Sequence, residues 1–454
     1  MISKEFGQNI TYWRKTKGYT QADLAKHSGL HRSFISGIEA GGRNVTLETI
    51  SKIASALSVP IADLFSSATS ELETTTTPKE VLFLKLGGTW DMVDSKDGLI
   101  GKGKLDDQKL QKLEGKTKNN ELALLTVLQR EMFQTQPVGK DIASHLFWVE
   151  NIDKLITGQF MPVFSGDSSN YRNSLLAVVM EYIFTKIKEN PSRQILAGIG
   201  TDTTDIILPF LDAFTFDKQL PPILVTGANR SHKEKNSDAP KNFFDLATAA
   251  HLPLLPGAYY IFHHVIYKGG DIVKIDPSEE PTAIEGLTTF FAPHRTQSKI
   301  SLLQKGANTT RAKSAIGNLV RFTADNIFWA MNSVVTIDLG DMNTINEEVN
   351  RINSKKYKAV IIKSHALGNT PSPIKNAAAK AARSGKLVLN VSRCLIASTS
   401  NRYALSLSRA SSQIITGNRL NPQIAKALLV RALLENRTQS QTRELVDKYS
   451  KRTF

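Results

Sequence analysis

The chain has 454 residues, 41% hydrophobic and 22% charged, close to globular averages; this excludes a collagen-like, low-complexity or wholly disordered protein and leaves room for two or three domains. The formal charge of +15 favours a polyanionic partner and is unevenly spread: residues 1–66 hold 8 basic and 5 acidic side chains, residues 375–454 hold 15 and 3, and the middle is neutral. The single cysteine, Cys394, excludes an internal disulfide and a thiolate zinc cluster, and it fits a reducing compartment.

Residues 1–66 read as four or five short helices. Leu47, Ile50, Ile53, Ala54 and Leu57 recur at helical spacing on one face. Thr20 with Asp23 three positions on approximates a capping box for a helix starting near Gln21, and Gly29 breaks that helix. The segment His31 to Glu39 follows after a short turn, which sets Leu24 and Ala25 near Ile35 and Ile38 in helix-turn-helix geometry. The stretch GYTQADLAKHSGLHRSFISGIEAGGRNVTLETISKIASALSVPIADLF resembles the Cro/repressor (XRE) class of helix-turn-helix domain. That resemblance implies double-stranded DNA as partner, with His31, Arg32, Ser33 and Ser36 facing base edges and Gln21 and Arg43 on phosphates.

Residues 67–80 have linker composition, SSATSELETTTTPKE around them holding almost no large apolar side chain. Beyond them, apolar runs at 81–86, 194–199, 222–227, 259–267, 334–340, 359–364 and 387–392 alternate with helical stretches, which predicts an α/β fold with a mainly parallel sheet. Several runs end in small polar turns: GGT at 87–89, GTDTTD at 200–205, GANRS at 227–231 and GNTP at 368–371. In open α/β sheets, ligands bind just beyond such strand ends.

KLGGTW at 85–90, GIGTDTTD at 198–205, ILVTGANR with NSDAPKN at 236–242, GGDIVK at 269–274, and HALGNTP with NVSRC resemble, in order, the motifs of the bacterial L-asparaginase family. The fold expected is therefore an all-α helix-turn-helix domain followed by a two-subdomain α/β asparaginase-like fold, with subdomains at 81–300 and 301–437 and a charged tail at 438–454. The resemblance implies Thr89 as nucleophile, Thr201 as second active threonine, Asp202 and Lys274 as its partners, and Ser165, Gly166 and Asp167 as substrate-binding residues. A threonine hydroxyl needs a base to take its proton, and a lysine held by an aspartate suits that task.

The chain departs from the pattern at one residue that matters for chemistry. The resemblance expects a loop tyrosine about a dozen residues after Thr89; Leu99 stands there, and the next tyrosine is Tyr171. Leucine relays no proton, so turnover is in question while the pocket survives. Ile199 replaces the histidine of THGTDT and Ala239 replaces a glycine, which suggests an altered pocket. The histidines include no HExxH spacing, and His263 and His264, read as strand residues, point to opposite faces; no metal and no cofactor are expected. Cys394 reads as a buried structural thiol. The basic C-terminal segment is either a second nucleic-acid surface or solvated helix faces.

Two functions lead at this level, and a nucleic-acid-guided effector that depletes a metabolite or modifies aminoacyl-tRNA is a third. One is a cytoplasmic, membrane-free regulator that binds DNA and, through its asparaginase-like domain, asparagine, aspartate or a related small amide; the family's dimers or tetramers would supply twofold symmetry. The other is an amidohydrolase releasing ammonia, with the helix-turn-helix for autoregulation or targeting.

Overall fold

The computed structural model describes residues 2–43, 45–57, 59, 64, 77–95, 98–100, 103–118, 120–135, 138–167, 172–263, 265–274, 290–291, 322–340, 342–365, 368–394, 399 and 406–452. They fall into two units, residues 1–77 and 78–454. Of the expected linker at 67–80, residues 67–76 lie outside the described residues, and Lys79 and Glu80 already open the first strand of the second unit.

The first unit contains α1 (Ile2–Thr16), α2 (Gln21–Ser28), α3 (Arg32–Glu39) and α4 (Leu47–Leu57). The Asp23 amide donates to Thr20 Oγ1 at 3.2 Å and the Thr20 amide donates back to the Asp23 carboxylate at 2.8 Å, a complete capping box for α2. Gly29 ends α2 with φ 66°, a left-handed conformation that a side chain would strain. Ile10, Leu24, Ile35, Ile38, Ile53 and Leu57 form the core between the helices.

Arg14 fastens α1 to the end of α3, its Nε 2.6 Å from Glu39 Oε1 and its Nη2 3.0 Å from Oε2. Burial pushes the Glu39 carboxyl up, but hydrogen bonds from Arg14 and Gln21 outweigh it and hold the group below its ordinary value. A depressed carboxylate contributes stability that is full above the unfolded-state value near 4.5 and is lost as pH falls below it. Hydrogen-exchange protection of α2 and α3 is therefore expected to fall on acidification through that range. In Arg14→Met it should be low already at neutral pH; equal protection of variant and wild type at pH 7 would show that the pair does not hold the helices.

The second unit runs β1 (Lys79–Leu86), β2 (Val93–Ser95), β3 (Gly98–Ile100), α5 (Asp107–Lys116), α6 (Glu121–Phe133), β4 (Val138–Asp141), α7 (Ile142–His145), α8 (Ile152–Leu155), β5 (Ile156–Phe164), α9 (Asn173–Glu189), β6 (Gln194–Gly198), α10 (Thr204–Thr215), β7 (Ile223–Thr226), α11 (Ala239–Ala249), β8 (Ala258–Phe262) and β9 (Val265–Lys268). Seven of these strands form one sheet in the order β4-β5-β1-β6-β7-β8-β9, parallel from β5 to β8 with an antiparallel strand at each edge. Strand β1 is buried on both faces, as a central parallel strand must be. Leu82, Leu84 and Leu86 join the core of α6, α9 and α10; Val81 and Phe83 join that of α7, α8 and α11.

After the two-residue pair β10 (Val273–Lys274) and β11 (Phe290–Phe291) come α12 (Ala324–Asn332), β12 (Val334–Asp338), α13 (Ile345–Asn353), β13 (Ala359–Ser364), α14 (Ser372–Arg383), β14 (Leu387–Ser392) and β15 (Ile415–Thr416). Strands β12 to β15 make a wholly parallel second sheet in chain order. The boundary expected at 300/301 lies outside the described residues. The chain then forms α15 (Pro422–Leu434), which packs on α10, and α16 (Gln439–Ser450).

Three expectations change here. Residues 438–454, read as a charged tail, hold α16, which has its own capping box at Thr438 and Gln441 and buries Leu445, Val446 and Tyr449. The run 259–267 is two strands with His263 in the turn between them at φ 45°, so it does not stand on a strand face; His264 lies outside the described residues. Cys394 is exposed, because β14 ends at Ser392 and the chain turns out of the sheet. Ile199 is fully buried, and its amide donates to the Thr226 carbonyl at 2.8 Å.

Candidate functional site

In the large sheet β1 lies between β5 and β6, and all three run parallel, so the loops after Leu86, Phe164 and Gly198 emerge at one edge. The chain leaves β1 for β5 on one side and returns to β6 on the other, a switch point of the kind at which open α/β sheets bind ligands. The loops are tied through the backbone. Gly88 donates to the Gly166 carbonyl at 2.9 Å, and with φ 105° and no side chain it lies directly on the Gly200 backbone, where a Cβ would overlap.

Thr89 opens a 3₁₀ turn, Thr89–Asp91, just after this contact, and is half-buried. Trp90 anchors the turn: its ring is buried against Phe243 at 4.8 Å, and its Nε1 donates to the Gly87 carbonyl at 3.0 Å. Asp91 pairs with Lys85, a lysine buried within β1. From the loop after β7, Ser231 Oγ donates to the Met92 carbonyl at 2.7 Å and the His232 amide to the Trp90 carbonyl at 3.1 Å, while the His232 ring stacks on Trp148 at 4.8 Å.

On the β6 side Thr201 is buried and Asp202 exposed. Lys274 reaches them from β10: its Nζ donates to Thr201 Oγ1 at 2.9 Å and to Asp202 Oδ1 at 2.6 Å. The two acceptors fix the ammonium beside the threonine hydroxyl, an arrangement that can exchange a proton with that oxygen. Asp205, one turn on, has its carboxyl pushed up by burial, with the Lys274 backbone amide pulling partly the other way.

On the β5 side Ser165 is buried; its amide donates to the Leu105 carbonyl at 2.9 Å, and Gly103 lies against its side chain, so it is enclosed by the segment that follows β3. Gly166 contributes the carbonyl that holds Gly88. The Asp167 amide donates to both carboxylate oxygens of Asp107, at 3.0 and 2.9 Å. Leu99 stands opposite Asp94 in the β2–β3 hairpin, and Tyr171 lies outside the described residues. Lys85, Asp107, Asp205 and His232 also stand around these loops, and none of them is singled out by the sequence reading. Asp107 carries a faint signal, since it is a second aspartate directly behind the α5 cap Asp106.

In the first unit, Arg32, Ser33 and Ser36 lie exposed on α3, opposite the buried Ile35 and Ile38, and His31 is exposed as its N-cap. Gln21 is engaged within the unit, its Nε2 donating to Glu39 Oε2 at 2.9 Å. Arg43 is exposed, its guanidinium 5.8 Å over the Phe34 ring. A groove of about 470 Å³ is lined by Tyr19, Gln21 and Arg32.

Residues 10–64 match the family model "Helix-turn-helix", residues 80–289 match "Asparaginase, N-terminal", and residues 342–446 match "Glutaminase/Asparaginase C-terminal domain". Over 65 residues the chain is 45% identical to control protein C.BamHI of Bacillus amyloliquefaciens, covering 14% of this chain and 80% of that protein. It is 35% identical over 65 residues to control protein C.SmaI of Serratia marcescens, with 14% and 77% covered. Among solved structures, a probable cytoplasmic L-asparaginase from Campylobacter jejuni superposes with a TM-score of 0.54 at 17% identity, covering 82% of this chain and 100% of that one. The thermostable L-asparaginase from Thermococcus kodakarensis gives 0.52 at 19% identity, with 81% and 96% covered. These structural likenesses establish the fold. The chain belongs to the helix-turn-helix family in its first unit and to the asparaginase family in its second, the two joined in one polypeptide.

Proposed function

We propose that the chain is a DNA-binding transcriptional regulator whose asparaginase unit binds L-asparagine, L-aspartate or a related small amide. The observation that carries it is the Lys274, Thr201 and Asp202 set, assembled beyond the end of β6 in a chain that also presents the open face of a helix-turn-helix. Thr89, Thr201, Asp202 and Lys274 are its working groups, the turn of Ser165, Gly166 and Asp167 is one wall, and a homodimer or homotetramer supplies paired DNA half-sites. The test is retention of DNA from the protein's own promoter region at moderate salt, with and without each amino acid. No retention in either condition defeats the proposal.

The same assay resolves the reading face. Arg32→Ala is expected to weaken specific binding by about 1–3 kcal/mol and to relax sequence preference, because a base-edge contact is lost. Arg43→Ala should weaken binding evenly across sequences and reduce the salt slope by about one, as loss of a phosphate contact does. An Arg32→Ala variant with unchanged selectivity would remove α3 as the reading helix.

A second reading, amide hydrolysis, is favoured by the Lys274 Nζ bond to Thr201 Oγ1. There, attack of a threonine oxygen on the side-chain amide expels ammonia and leaves an ester that water hydrolyses. The leucine at 99 argues for the sensor. Ammonia release from L-asparagine above that of Thr89→Ala would move the enzyme forward.

A further inference from the structure

A cavity of about 400 Å³ opens between α5 and α6, away from the residues that surround Lys274. Lys109, Lys112 and Lys116 stand on one side of α5 at helical spacing, and Arg130 of α6 faces them. Glu131 is the one acidic side chain in the lining, and it holds Lys109, their nitrogen and oxygen 3.4 Å apart. The net charge of this lining is thus +3, while Leu113 and Val127 give the cavity an aliphatic floor.

With Lys109 held by Glu131, the lining offers no acidic side chain to Lys112, Lys116 and Arg130, and like charges gathered in a concave site repel one another unless an anion joins them. We propose that this groove is a binding site for a small phosphorylated molecule of mononucleotide size, its phosphates held by Lys112, Lys116 and Arg130 and its apolar part on Leu113 and Val127. The volume lies in the range of small-molecule sites. A duplex backbone, by contrast, carries no apolar group to cover the floor of Leu113 and Val127. The groove is also not isolated, because α5 begins at Asp107, whose carboxylate holds the Asp167 amide beside the Gly166 carbonyl that fixes Gly88.

The experiment is calorimetric titration of the full chain with ADP as probe, on wild type, on Lys112→Glu/Lys116→Glu, and on the control Lys355→Glu/Lys356→Glu, which changes the net charge equally on another exposed segment. All four replaced lysines are exposed, so folding is expected to be kept, and circular dichroism checks it. ADP should bind wild type and control alike and the α5 variant at least tenfold more weakly. No ADP binding to wild type, or equal loss in both variants, overturns the proposal. A duplex without operator sequence is titrated in parallel; if it, and not ADP, loses affinity selectively in the α5 variant, the groove contacts DNA and the proposal falls.

Discussion

Replacing Lys274 with methionine is expected to weaken amino-acid binding to the asparaginase unit by about 10- to 100-fold and to reduce any amide hydrolysis by about 10²- to 10⁴-fold. Methionine keeps an unbranched side chain out to Cε and removes the ammonium, whose two hydrogen bonds go to Thr201 Oγ1 and Asp202 Oδ1. Its loss leaves Thr201 Oγ1 without the group that orients it toward a bound amino acid and removes a cation from the site; a charge-assisted bond is worth about 1.5–3 kcal/mol, and each 1.4 kcal/mol is a factor of ten in affinity. The larger figure for hydrolysis follows because a positioned proton-transfer group acts mainly in the transition state. Titration of L-asparagine and L-aspartate reads the first effect and ammonia release the second. The two readings of the pocket separate here: a sensor shows the binding loss with no wild-type rate to lose, whereas an enzyme shows both. Wild-type behaviour of Lys274→Met in both measurements would remove this lysine from the site.

Much of this pocket can be read in the chain, and what cannot has definite causes. Strands β1, β6, β7, β13 and β14 are short apolar runs that stop at glycine or serine, so period and punctuation locate them. Strand β5 escapes because Gly158 and Pro162 interrupt its pattern. It tolerates the proline because the ladder with β1 shifts between Lys85 and Leu86, beside Pro162, while the pairing with β4 stops at Phe160. The β8–β9 hairpin escapes because its turn carries histidine at positive φ in place of the usual asparagine and glycine. In the site, a motif can nominate Thr201, Asp202 and Lys274, but the bonds that join them span 73 and 72 residues and exist only after β10 has folded back over α10. Lys85 reads as an interruption of an apolar strand, and only the return of Asp91 makes it the anchor of the Thr89 turn.

The largest loss of stability is expected from breaking the pair of Asp212 and Arg452. Asp212 is completely buried on α10 and accepts four hydrogen bonds: from Tyr449 Oη at 2.5 Å, Arg452 Nη1 at 2.6 Å, the Ala258 amide at 3.0 Å and the Gly270 amide at 3.2 Å. These fill the lone-pair positions of a carboxylate. Arg452 in turn reaches the Pro256 carbonyl at 2.7 Å and Tyr259 Oη at 3.0 Å, so three stretches of chain and the C-terminal helix meet at one charge pair. The turn that Asp212 holds precedes Lys274, and Gly270 has no room for a Cβ because Tyr449 Oη lies against it. Arg452→Met leaves a buried carboxylate without its cation and is expected to destabilise the unit by about 3–5 kcal/mol, read as a lowered urea midpoint. Asp212→Asn should cost a comparable amount, since its amide hydrogens then face donors. The double variant should lose less than the sum of the two, because each single change strands the partner of the other. Full additivity would mean that the two residues act separately and that the C-terminal helix is not clasped through this charge.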